Sequence, residues 1–146
     1  MALRSAPFAF AGVLAVLGLH AHGQEQEPTA EHSAPCVAAL EVEAIAMADQ
    51  LRAGKTDIEP ELVRRVQQGF AFIGVAYKQG LRKEAADKLL KEAEAKTQAL
   101  PPDELAARQA ACRAEGARIL ENANIFERAF VAHAARKRVD RLKHKS

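Results

Sequence analysis

Alanine is the feature that most constrains how this chain can fold, because it supplies 32 of the 146 residues. Alanine is the strongest helix former, since its side chain loses no rotamer entropy in a helix. Aromatic residues are scarce, with one Tyr and no Trp in the chain. The sequence therefore predicts an all-α protein. Its core should be thin, because each buried alanine removes little apolar area from water.

Apolar residues recur at helical spacing in successive segments, and Gly or Pro separates one segment from the next. Ser33 can cap a first helix, and Pro60 marks the first turn of a second. A third, more polar helix ends at the proline pair 101–102. The remainder contains no proline, so it forms one long helix unless the weak helix formers Asn122 and Asn124 break it. We expect a small helical bundle of four helices, or five with that break.

Cys36 and Cys112 are the only cysteines in the chain. An even count permits one intramolecular bond, and the chain contains neither a CxxC redox motif nor a CxxCH haem-attachment motif. Two free thiols or a bridge between two chains are the alternatives. We expect a single disulfide that staples the bundle, because a bond closing so long a loop removes much of the entropy of the unfolded chain.

The N-terminus has the pattern of a secretory signal peptide. Arg4 precedes an apolar run over residues 7–19, and Ala21 and Gly23 place small residues at positions −3 and −1 of a cleavage site. This run is shorter than the roughly 20 apolar residues of a transmembrane helix. An uncleaved membrane anchor is the alternative. We expect a signal peptide over residues 1–23.

The rest of the chain is expected to form one domain. Residues 24–33 are acidic and aperiodic, which predicts a disordered leader. Residues 34–143 form a single helical domain with a basic C-terminal end. The expected location is periplasmic or extracellular, where disulfides persist, and no transmembrane span remains after signal cleavage.

The sequence contains no recognisable catalytic motif. It has no HExxH zinc motif, no phosphate-binding loop and no GxSxG nucleophile motif. We therefore expect neither an enzyme nor a bound cofactor or metal. The alternative is a carrier of haem or another small ligand, with Met47 and His133 as haem ligands. A bond between Cys36 and Cys112 would fix the two helices relative to each other and leave Met47 and His133 far apart along them, unless the last helix folds back near Asn122 and Asn124.

The final segment carries the candidate binding residues. A single helix there would be longer than a small bundle can bury, so some of its apolar residues remain for a partner or a second copy. Its basic end is also explained by the favourable interaction of cations with a helix C-terminus. The candidate partner-binding residues are Phe126, Phe130, Val131, Arg136, Lys137, Arg138, Val139, Arg141 and Leu142. The alternative is that the apolar members pack on the second helix.

These patterns predict an exported protein that acts by binding another macromolecule, as an accessory, inhibitor or chaperone-like factor. The expected partner is a protein, or a second copy reached through the C-terminal helix. An anionic membrane surface is a further candidate for the basic end. Nucleic acid is not expected, because no aromatic residues interleave with the basic ones. The first part of the chain is acidic and the later parts are basic, which predicts that they pack together.

Overall fold

A computed structural model describes residues 27–144, which form five α-helices and no strand. The helices are α1 (Ala30–Arg52), α2 (Glu59–Lys78), α3 (Lys83–Gln98), α4 (Pro102–Asn122) and α5 (Ile125–Lys143). A short 3-10 turn (Thr56–Ile58) precedes α2. The predicted all-α bundle is confirmed, in its five-helix form. The signal peptide predicted over residues 1–23 lies outside the described residues.

The first helix begins earlier than the sequence indicated. Thr29 is its N-cap, and the Thr29 hydroxyl accepts a hydrogen bond from the backbone N–H of His32. Ser33, which was predicted to be the cap, lies inside the helix and is buried. The helical domain therefore starts at Ala30, and the last four residues of the predicted leader 24–33 belong to α1. The reason is that the Thr29 hydroxyl also caps a helix, and α1 continues through Pro35, its sixth residue.

The predicted break in the last segment falls at Ala123, where the backbone is extended between α4 and α5. Asn124 then caps α5, because its side-chain oxygen accepts hydrogen bonds from the backbone N–H groups of Phe126 and Glu127. The Glu127 carboxylate accepts a bond from the backbone N–H of Asn124 in return. This reciprocal capping box starts a new helix at Ile125 and lets the chain turn back along the bundle.

Two clusters of buried side chains form the core. The first lies where α1, α2 and α5 meet, and its members are Ala44, Ala48, Leu51, Leu62, Val66, Ala135, Val139 and Leu142. The second lies between α1, α2 and α4, and its members are Cys36, Val37, Leu40, Phe72 and Cys112. Phe72 is the large side chain at the centre of the second cluster and is 0% exposed.

Cys36 and Cys112 form the predicted disulfide. Their sulfur atoms are 2.00 Å apart and their Cα atoms are 5.3 Å apart. Both residues are buried. The bond joins the second turn of α1 to the middle of α4, so it ties these two helices across the second core cluster.

Gly116 allows α4 to pack directly on the backbone of α2. A Cβ atom at this position would lie 2.9 Å from the Cβ of Gln68 and 3.0 Å from its carbonyl oxygen. Contacts this short are not tolerated, so only glycine fits while the two helices keep their spacing. The same helix carries the disulfide four residues earlier, which places the contact and the bond one turn apart.

Glu43 on α1 connects three helices. Its carboxylate lies 3.0 Å from Nε of Arg65 on α2 and 3.1 Å from Arg113 on α4. Arg65 is almost buried and also contacts Glu61 at 2.5 Å and Gln68 at 2.7 Å. The acidic first part of the chain thus packs against basic later parts, as the charge gradient predicted.

Candidate binding surface on the fifth helix

Three large apolar side chains are exposed together at the start of α5. Ile125 is 68% exposed, Phe126 83% and Phe130 73%. Apolar residues this large are normally placed in the core when the fold has room for them. Here the core is built largely from alanine and aliphatic side chains, while two of the six phenylalanines face solvent. Such a cluster is typical of a surface that binds something else.

A groove of about 450 Å³ lies beside these side chains. Its floor comes from α2, through Ala71, Gly74 and Val75, and its walls come from the end of α4 and the start of α5. Phe126 and Phe130 stand along the α5 wall. The glycine and alanine on α2 leave space that larger residues would fill. Mostly apolar lining of this kind suits an apolar side chain or segment of a partner.

The helical repeat of α5 explains which of its residues face outward. Val131, Ala135, Val139 and Leu142 recur every three or four residues and are buried. Phe126 lies on the opposite side of the helix, so it cannot reach the core that these residues share.

The candidate residues named from the sequence divide accordingly. Phe126 and Phe130 lie on the exposed surface, and Val131 lies beneath them at the edge of the groove. Val139 and Leu142 belong to the first core cluster instead, where they pack with residues of α1 and α2. They are therefore not available to a partner. The reason is that α5 folds back along the bundle, which buries one of its faces.

The basic residues of α5 divide in the same way. Arg138 pairs with Glu41 of α1, and Lys143 lies 2.8 Å from Glu59 of α2. These two cations fasten α5 to the bundle. Within the part of the chain that the structure describes, the other four Lys and Arg residues of α5 form no ion pair and are exposed, and they are Arg128, Arg136, Lys137 and Arg141.

Aromatic and basic residues share one face of α5. Lys137 and Arg141 follow Phe126 by about three and four helical turns, so they lie in line with Phe126 and Phe130 on the solvent side. The first half of this stripe is aromatic and the second half is basic. We refer to Phe126, Phe130, Lys137 and Arg141 as the α5 stripe.

An ion pair fixes the rim of the groove. Lys78 of α2 lies 2.5 Å from Glu127 of α5. The hydrogen bond from Lys78 lowers the pKa of Glu127, and the backbone N–H of Asn124 lowers it further. The same bond to Glu127 raises the pKa of Lys78 above its ordinary value. Both groups therefore remain charged near neutral pH and hold the start of α5 against α2.

The segment before α1 lies at another edge of the groove. Glu27 and Pro28 line it, and the Pro28 carbonyl accepts a 2.8 Å hydrogen bond from the side-chain amide of Gln79, the residue directly after α2. This contact fixes the chain where it enters α1. No local pattern indicates it, because it joins residues about fifty positions apart.

A second polar cluster surrounds the disulfide. His32 Nε2 lies 2.9 Å from Oε2 of Glu115. His32, Glu115 and Cys36 each place one possible ligand atom within 4.8 Å of the others. Sequence analysis missed this cluster, although the spacing could have indicated it. His32 precedes Cys36 by one helical turn, and Glu115 follows Cys112 by one helical turn.

Met47 and His133, the haem ligands considered in the alternative, face different environments. Met47 packs against the first core cluster. His133 is exposed, on the side of α5 opposite the buried Ala135. The fold-back of α5 therefore does not turn the imidazole toward the interior, and this arrangement gives the pairing no support.

None of the helices among residues 27–144 is both long enough and apolar enough to cross a bilayer. No known protein family, characterised protein or solved structure matches the chain.

Proposed function

We propose that this chain is an exported helical-bundle protein that acts by binding another protein through the α5 stripe and the adjoining groove. The observation that carries the proposal is the exposure of Phe126 and Phe130 beside an apolar groove of about 450 Å³. Aromatic side chains at the centre of an interface supply most of its binding energy. Lys137 and Arg141 extend the surface and favour a partner with acidic groups next to an apolar patch.

A protein partner fits the surface better than an anionic membrane does. Of the six Lys and Arg residues on α5, Arg138 and Lys143 are already paired within the fold. Among the four that remain, only Lys137 and Arg141 share a face with Phe126 and Phe130. Basic clusters that hold a protein on anionic lipid usually contain about 4–8 cations.

Site-specific photocrosslinking in the producing cells tests the proposal. p-Benzoyl-phenylalanine replaces Phe130 in one variant, and Lys91 on the exposed side of α3 in the control. A defined protein adduct at position 130 and none at position 91 is expected. An adduct of twice the chain mass would identify the partner as a second copy. No adduct at position 130, or the same adducts at both positions, would refute the proposed interface.

Export is a separate part of the proposal. It is supported by the apolar N-terminal run and by the disulfide between Cys36 and Cys112, because such bonds persist in oxidising compartments. Mass spectrometry of the protein recovered outside the cytoplasm should show a chain that begins at Gln24. A chain found in the cytoplasm with its first 23 residues intact would contradict this part.

A small-ligand carrier is the second candidate, favoured by one observation. The groove volume falls within the roughly 300–1,000 Å³ that is typical of small-ligand sites. Titration with haem and with a fluorescent fatty acid would decide between the two. Saturable binding that Phe130→Ser abolishes would support a carrier, and the absence of a Soret shift would remove haem.

A further inference from the structure

Two pairs of metal-binding side chains face each other across α1 and α4. His32 and Cys36 lie one turn apart on α1, and Cys112 and Glu115 lie one turn apart on α4. The imidazole Nε2 is 2.9 Å from the carboxylate Oε2, and His32, Glu115 and Cys36 each place one donor atom within 4.8 Å of the others. The Cys112 sulfur is bonded to that of Cys36. Three donors of three chemical types are therefore close together, and a second sulfur adjoins one of them.

The disulfide occupies the sulfur positions in the oxidised chain. A dithiol reagent would reduce it to two thiols and become a cyclic disulfide itself, so electrons and protons balance. Binding of a divalent metal to the two thiols would then release two protons and leave two thiolates on the metal. Oxidation and metal binding are mutually exclusive at this site, because they use the same two sulfur atoms.

We infer that the reduced chain binds one Zn²⁺ ion through Cys36, Cys112, His32 and Glu115. Two thiolates, one imidazole and one carboxylate are the donors that zinc takes in tetrahedral sites. Zinc–ligand distances of about 2.0–2.3 Å place neighbouring donors about 3.3–3.8 Å apart. The donors of His32, Glu115 and Cys36 are within 4.8 Å of one another, so side-chain shifts of about one ångström bring them to these distances. The Cys112 sulfur, which is bonded to that of Cys36 in the oxidised chain, separates from it on reduction and takes the fourth position.

The two helices are held in register near the site by contacts that do not involve sulfur. The side-chain amide of Gln109 donates a 3.1 Å hydrogen bond to the carbonyl of Ala39, and Arg113 pairs with Glu43 at 3.1 Å. Gly116 packs on α2 a turn beyond the disulfide. None of these contacts depends on the sulfur–sulfur bond, so they favour the packing of α1 and α4 in the reduced chain, with the donor residues on facing turns.

The outer side of the site is open and polar. His32 is exposed, so a metal ion can reach the donors from solvent. The carboxylate of Glu115 uses Oε2 toward His32, while its other oxygen lies 3.9 Å from Arg118. Arg118 thus helps to orient the carboxylate, in the way that the outer polar partners of a metal ligand fix its orientation.

Cobalt and zinc titrations of the reduced protein test this inference. The chain is reduced with a dithiol, desalted without oxygen and titrated with Co²⁺, followed by Zn²⁺ competition. We expect one tetrahedral Co²⁺ per chain, with thiolate charge-transfer bands, and its displacement by one Zn²⁺. The oxidised chain should show neither. Circular dichroism monitors helix content throughout, and if reduction loosens the fold, zinc should restore the helices.

Variants separate this site from adventitious binding by two cysteines. Loss of a residue that only orients a metal ligand costs about 10–100-fold in metal affinity. His32→Ala and Glu115→Gln remove or weaken a ligand itself, so each should weaken zinc binding by at least about 100-fold. His133→Ala and Glu121→Gln, exposed residues away from the site, should leave the affinity unchanged. The inference is overturned if the reduced chain binds zinc no better than the oxidised chain. It is equally overturned if His32→Ala and Glu115→Gln bind as tightly as the wild type.

Discussion

Replacement of Gly116 by alanine tests the packing of α4 on α2. The added Cβ would meet Gln68 at 2.9 Å, 3.0 Å and 3.2 Å, at its Cβ, carbonyl oxygen and Cα. Two of these atoms are backbone, so no side-chain rotation relieves the overlap, and α4 must move by about 0.5 Å to reach ordinary contact. Overpacking of this kind costs about 1–3 kcal/mol.

Alanine also offsets part of that cost, because it forms helix better than glycine by about 1 kcal/mol. We therefore expect Gly116→Ala to lower the free energy of unfolding by about 0–2 kcal/mol, with about 1 kcal/mol at the centre of that range. The midpoint of thermal unfolding should fall by several degrees. Urea titrations followed by circular dichroism at the helix band measure the change.

Gly69 and Gly74 on α2 supply matched controls, because a Cβ at either position would meet nothing within 4 Å. Gly69→Ala and Gly74→Ala should each stabilise the protein by about 0.5–1 kcal/mol. Replacement of glycine by alanine is thus expected to stabilise the protein on α2 and to destabilise it on α4. If Gly116→Ala stabilises the protein as much as Gly69→Ala and Gly74→Ala do, the close approach of α2 and α4 described above is wrong.

Three further substitutions test the fold in the same urea assay. Asn124→Ala removes the cap of α5 and should cost about 1 kcal/mol, and no loss would mean that the capping box does not set the fold-back. The double change Cys36→Ser and Cys112→Ser opens a loop with a sequence separation of 76, which the chain-entropy model values at about 4.5 kcal/mol. A cost below about 1 kcal/mol would show that the bond is not a staple. Arg65→Met leaves Glu43 with one cation fewer at a nearly buried position and should cost about 3 kcal/mol. A neutral result would contradict the three-helix role of Glu43.

The helical class, the number of helices and the disulfide could be predicted because each depends on local signals. Alanine content and periodic apolar residues indicate helices, while the asparagines at 122 and 124 mark a break. The count of two cysteines leaves one intramolecular pairing. These signals are present in the sequence whatever the helices pack against.

The remaining features depend on tertiary packing, which the sequence pattern does not contain. Val139 and Leu142 were candidates for a partner surface, but the fold-back of α5 buries them against α1 and α2. Ile125 was missed as an exposed residue, since an apolar side chain at a helix start suits a core equally well. The groove floor on α2 could not be predicted either. Glycine and alanine on a helix are compatible both with a close helix contact and with an open groove, and only the position of the neighbouring helix decides between the two.

The affinity of the purified partner for wild-type and altered protein is the decisive measurement of the proposed binding surface. Once photocrosslinking has identified the partner, isothermal titration compares the wild type with the double variant Phe126→Ser and Phe130→Ser, and with Lys91→Ala as the control. We expect the double variant to bind at least about thirtyfold more weakly, since an aromatic hot spot contributes about 2 kcal/mol or more. Lys91→Ala should bind like the wild type. An unchanged affinity in the double variant, with its helix content intact, would contradict the claim that this surface is the binding site.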